Sequence, residues 1–125
     1  LIHEMSHSIE EKNSNLIYGD GRLQNEFLAK RYKLYQILKA HDYKGPKEEF
    51  LNSNFSQQLD DFAFKVVGYE RLEFFTLGLF PSTYSVTSLR EYFATGFEIY
   101  FLEGPNNLKE YPVLLEKMEE VEETL

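Results

Sequence analysis

Apolar residues recur along this chain at the three- and four-residue steps of an α-helix, and that rhythm constrains its fold more than any other feature. Leu59, Phe62, Ala63, Val66 and Val67 follow the i, i+3, i+4, i+7, i+8 pattern of one buried helix face. Leu23, Phe27, Leu34 and Leu38 mark a second stripe, widened by Leu28, Tyr35 and Ile37. Ile2, Met5 and Ile9 mark a third, beside the solvated Glu10, Glu11 and Lys12. No stretch alternates apolar and polar residues as a half-buried strand does. The expectation is a chain that is mainly α.

Breakers and caps divide the rhythm into units. Residues 1–12 read as a helix, and residues 13–22, with two Gly and several Asn and Ser, as a loop. A long helix runs from Leu23 to about His41 and ends before Gly45-Pro46, with a short helix over 47–52. Ser56 is placed to cap a helix through Val67 that Gly68 closes. Residues 69–80 fit helix better than strand, and residues 81–88 read as loop. Ser88 caps a helix of about fourteen residues, broken by Gly104-Pro105. Pro112 opens a last helix, with Val113, Leu114, Leu115, Met118 and Val121 facing inward.

A chain of 125 residues with eleven Phe and nine Tyr suffices for one domain with a modest core. The formal charge of −8 disfavours nucleic acid and anionic membrane as partners, since both are polyanions. Without Cys there are neither disulfides nor thiolate ligands. No apolar run reaches membrane-spanning length. The first residue is Leu, so the chain reads as a fragment of a longer protein, with any targeting segment upstream.

The opening stretch "LIHEMSH" carries an H-E-x-x-H pattern in His3, Glu4 and His7. On a helix, residues four apart share a face, so both imidazoles can address one ion. Neutral imidazole suits zinc, and Glu4, one step round, can take a proton from the attacking water without ligating. A catalytic zinc site ordinarily takes three protein ligands. Glu10 and Asn13 stand where the longer H-E-x-x-H-x-x-G-x-x-H pattern carries Gly and His, which excludes that pattern. Two carboxylates remain as third ligand. Glu26 follows His7 by nineteen residues, close to the thermolysin-like spacing, although Ala29 and Lys30 replace the Ser and Asp of that N-E-x-x-S-D stretch. Glu91 sits among Tyr92, Phe93, Phe97, Tyr100 and Phe101, where an unpaired carboxylate is costly. His41, a lone histidine near a helix end, reads as an exposed residue.

Three stretches together resemble the lethal-factor-like zincins, the family of anthrax lethal factor and the Pro-Pro endopeptidases. These are "HEMSH", the segment "EYFATGF", similar to that family's E-x-F-A-x-x-F helix, and Tyr84, seven residues before Glu91. The downstream "LKEYPVLLEKMEEV" is similar to the family's closing segment. The resemblance implies the C-terminal helical part of a zincin-like (α+β) metallopeptidase domain, whose sheet lies upstream. It implies one Zn²⁺ per chain held by His3, His7 and Glu91, with Glu4 as general base and Tyr84 directed at the carbonyl oxygen. The implied activity is a zinc-dependent endopeptidase acting on a protein or peptide substrate, in a secreted protein. The alternative is a non-catalytic zincin-like docking or structural module of a larger toxin or phage protein. Residues 22–68 read as a helical insertion, and Thr95 replaces an acid that the family often carries one turn after the ligand Glu.

Overall fold

Residues 2–125 are described by the computed structural model, and the apolar stripes become eight α-helices among them, with no strand. These are α1 (Ile2–Lys12), α2 (Ser14–Tyr18), α3 (Arg22–Ala40), α4 (Lys47–Phe50), α5 (Gln57–Asp61), α6 (Tyr69–Thr76), α7 (Leu89–Glu103) and α8 (Pro112–Glu122). A π-helical segment, Phe62–Gly68, continues α5, and 3₁₀ turns occupy Tyr84–Val86 and Pro105–Leu108. The mainly α expectation holds.

Helix α7 is the spine. It packs against α1 on one side and α8 and α3 on others. Tyr92, Phe93, Ala94 and Phe97 are buried along it. Gly96 lets α8 approach closely, because an added Cβ would lie 2.6 Å from Leu114 Cδ1. Ser88 Oγ accepts from Glu91 N at 3.2 Å to cap α7, and Gly104, at φ +100, ends it.

Four local expectations change. Residues 13–22 are not all loop: Ser14–Tyr18 forms a helical turn around the fully buried Ile17. The helix that Ser56 caps, through Leu59 N at 3.2 Å, widens to π geometry after Asp61. That widening aligns Phe62 with Val67 five residues on and turns Val66 outward, 59% exposed. Met5 is exposed, whereas Ser6 and Glu10 are buried on the face of α1. In α8, Leu114, Met118 and Val121 are buried while Val113 and Leu115 pack only partly. Lys117 is also buried there, its Nζ donating to Asp20 at 2.8 Å and to Leu16 O at 3.1 Å.

Arg31 fills the gap in the α3 stripe between Phe27 and Leu34 and is fully buried. Its guanidinium donates only to backbone carbonyls. Nε reaches Val86 O at 2.6 Å and Nη2 reaches Thr87 O at 3.0 Å. Nη1 reaches Glu49 O at 3.0 Å and Phe50 O at 3.1 Å, at the end of α4 where unpaired carbonyls carry partial negative charge. Burial pulls the Arg31 pKa down to about 10, which leaves it protonated at neutral pH. One side chain thereby ties the end of α4 to the segment that carries Tyr84 and leads into α7. Leu89 N adds a bond to Ser53 O at 2.8 Å.

Arg31→Met strands several of these carbonyls and is expected to cost about 2–5 kcal/mol, read as a shift in the urea midpoint. Gly96→Ala is expected to lose about 1–3 kcal/mol in the same assay, because Leu114 must be displaced.

Candidate functional site

The polar face of α1 lies along α7, and the site forms at that contact. His3 and His7 project from consecutive turns of α1, with ring centroids 4.6 Å apart and planes at 88°. Their Nε2 atoms are 3.1 Å apart. Glu91, in the first turn of α7, reaches both: Oε2 is 3.7 Å from His3 Nε2, and Oε1 is 4.0 Å from His7 Nε2. Since Ser88 already caps the helix end, the Glu91 carboxylate is free to turn toward the histidines. Among the described residues these three form the cluster able to hold a metal ion, each offering one donor atom within 4.8 Å of the others. Glu91 Oε2 is buried and has no hydrogen-bond partner among the described residues. An orphaned buried carboxylate oxygen is costly, and a cation would satisfy it.

The histidines are themselves held. Glu98, seven residues after Glu91 and so on nearly the same helix face, places Oε1 2.9 Å from His3 Nδ1. Ser6 Oγ donates to His3 O at 2.6 Å. His7 Nδ1 lies 3.4 Å from Arg90 Nη2 and 3.7 Å from Glu10 Oε1. Glu10 is buried, receiving Arg90 Nε at 2.9 Å and the Tyr18 hydroxyl. Burial and then the bond to Glu10 push the Tyr18 phenol well up, while that same carboxylate raises the Arg90 pKa.

Glu4 is exposed, one residue on from His3. Tyr84 is 55% exposed and shares a cleft of about 420 Å³ with His7, Glu91, Phe55 and Leu89. Its phenol pKa is raised, first by partial burial and then by the charges of Glu91 and Asp60. Gln24, Ser53, Asn54, Tyr18, Ser88 and Arg90 complete the cleft. His41 is exposed beside Phe75, as expected, and remote in sequence from the cluster.

Glu26, the other candidate acid, is employed elsewhere. It accepts from Val113 N at 2.7 Å and Leu114 N at 3.2 Å, at the start of α8, and from the Tyr92 hydroxyl at 2.7 Å. Burial, followed by the Glu26 charge, raises the Tyr92 pKa. Pro112 occupies the first helical position, so Glu26 satisfies two of the free N–H groups that follow it. The structure thus brings Glu91 to the histidines, and Glu26 caps α8.

Sequence reasoning missed Glu98, Glu10 and Arg90. The available signal for Glu98 was its seven-residue offset from Glu91, and for Glu10 its three-residue offset from His7. Comparison with protein-family models, curated proteins and solved structures finds no match for this chain.

Removing the α8 cap by Glu26→Ala is expected to lower the unfolding free energy by about 1–3 kcal/mol in chemical denaturation, since two backbone N–H groups and a buried hydroxyl lose their acceptor.

Proposed function

We propose that the protein is a zinc-dependent endopeptidase whose metal ligands are His3, His7 and Glu91. The observation that carries this reading is their convergence across the α1–α7 contact, with a buried Glu91 oxygen left without a partner. The donor set fits the metal. Donors at about 2.0–2.1 Å around a tetrahedral ion lie roughly 3.3 Å apart. Here the two imidazole Nε2 atoms are 3.1 Å apart, Glu91 Oε2 is 3.7 Å from one and Oε1 4.0 Å from the other, and one donor atom from each residue falls within 4.8 Å of the others. Two imidazoles and a carboxylate are also the ligand types of an open catalytic zinc site. The resemblance of "HEMSH" and "EYFATGF" to the lethal-factor-like zincins supports the same assignment.

Bound zinc supplies Lewis acidity, polarising a carbonyl and bringing the ionisation of water close to neutral pH. The remaining work falls to the chain. Glu4, exposed beside His3, takes the proton of the attacking water and later delivers it to the leaving amine. The Tyr84 hydroxyl donates a hydrogen bond to the oxygen on which negative charge develops, and its raised pKa keeps the phenol protonated. The peptide occupies the cleft between Tyr84 and Phe55, where Ser53, Asn54 and Gln24 offer hydrogen-bonding groups to its backbone. Three of those residues and Phe55 belong to residues 22–68, so the helical insertion read in the sequence would shape the substrate groove.

Zinc loading followed by removal of excess metal is expected to leave about one zinc per chain, by elemental analysis. Glu4→Gln retains the metal and abolishes peptide hydrolysis, and Glu91→Ala loses the metal while Glu26→Ala keeps it. A Glu91→Ala protein that holds zinc as the parent does would overturn the ligand assignment. Tyr84→Phe is expected to lower kcat about 10²–10³-fold with a smaller effect on KM.

A further inference from the structure

We infer that Glu98 is a positioning residue for this site: it sets the ring orientation and tautomer of His3, so that His3 is ready to bind metal before any metal arrives. The part of this inference that concerns metal affinity rests on the zinc reading; the part that concerns the tautomer does not.

A carboxylate oxygen accepts and cannot donate in its ionised form. Glu98 Oε1, 2.9 Å from His3 Nδ1, therefore places the proton on Nδ1. A neutral imidazole carries one N–H, so His3 Nε2 is left with a bare lone pair. That lone pair faces His7 Nε2 at 3.1 Å and Glu91 Oε2 at 3.7 Å, the direction from which a cation would be held.

The neighbouring contacts agree with this assignment. A guanidinium only donates, so Arg90 Nη2, 3.4 Å away, selects the His7 tautomer with bare Nδ1 and protonated Nε2. His7 Nε2–H then points at the bare Nε2 of His3. Hydrogen bonds run in one direction, from Arg90 through His7 and His3 to Glu98. His3 keeps its tautomer on ligation through Nε2, whereas His7 must move its proton to Nδ1, toward Glu10 Oε1 at 3.7 Å. Carboxylate–imidazole pairs behind a metal-ligating histidine have this orienting effect generally. Thr95, one turn after Glu91, does not supply it: its Oγ1 lies 3.4 Å from Ser82 Oγ. Glu98 sits one further turn along and does.

The test uses the metal-free protein labelled with ¹⁵N-histidine, read by long-range ¹H–¹⁵N correlation at a pH where the rings are neutral. His3 is expected in the Nδ1–H form and His7 in the Nε2–H form. Glu98→Ala should give His3 as a mixture of tautomers. Glu98→Gln, whose side-chain oxygen still accepts, should restore the Nδ1–H form. Competition against a chelator should then show zinc affinity about 10–100-fold weaker in Glu98→Ala, with partial recovery in Glu98→Gln. A parent His3 in the Nε2–H form overturns the inference, as does Glu98→Ala with unaltered tautomer and affinity. A parent that takes up no zinc, yet shows the Glu98-dependent tautomer, sustains the positioning role and sinks the zinc reading instead.

Discussion

Arg31 is the constraint on which the arrangement of the site depends. Burying a guanidinium at the middle of an apolar helix stripe is unfavourable unless its donors are satisfied. Here they are satisfied by carbonyls from two separate stretches, Glu49 and Phe50 on one side and Val86 and Thr87 on the other. Those carbonyls lie at a helix end and a tight turn, and Glu49 O also accepts from Asn52 N at 3.2 Å. The exchange fixes where α7 begins and hence where Glu91 and Tyr84 stand. It also draws residues 53–55 against the same corner, making them one wall of the cleft.

From that corner the site is built on a polar seam. Where most helix contacts in this molecule are apolar, the facing surfaces of α1 and α7 carry His3, His7 and Glu10 against Glu91, Arg90 and Glu98. Such a seam is a weak source of stability, because each buried polar group must recover what it loses on leaving water. Among the buried side-chain atoms of this seam in the described residues, one oxygen of Glu91 has no hydrogen-bond partner. The unsatisfied group thus sits where the three donor atoms converge. The apolar body of α7, with Tyr92, Phe93 and Phe97 buried beneath, supplies the rigidity that the seam lacks.

Much of the fold was legible in the sequence, for specific reasons. The apolar stripe of α3, the Leu114, Met118 and Val121 positions of α8, the Ser56 and Ser88 caps, and the breaks at Gly68 and Gly104 are local signals that tertiary packing did not override. The π-helical turn after Asp61 was not legible, because its five-residue spacing becomes apparent only once Phe62 and Val67 are seen buried together. The α2 turn was hidden by turn-forming residues around a single buried Ile17. Met5 misled because the buried face of α1 is rotated toward Ser6 and Glu10, on the side that patterning assigns to solvent. Of the site, the H-E-x-x-H pattern announced the two imidazoles, but spacing alone left Glu26 and Glu91 as rivals. Only the third dimension separates them, by giving Glu26 the start of α8 as a partner.

In the proposed site, two imidazoles and one carboxylate of this chain surround a single ion. X-ray absorption at the zinc edge of the zinc-loaded protein tests it most directly. The proposed site should give a shell of nitrogen and oxygen donors at about 2.0–2.1 Å with the outer-shell scattering of two imidazole rings. A shell of oxygen donors alone, or one showing a single imidazole, would contradict it.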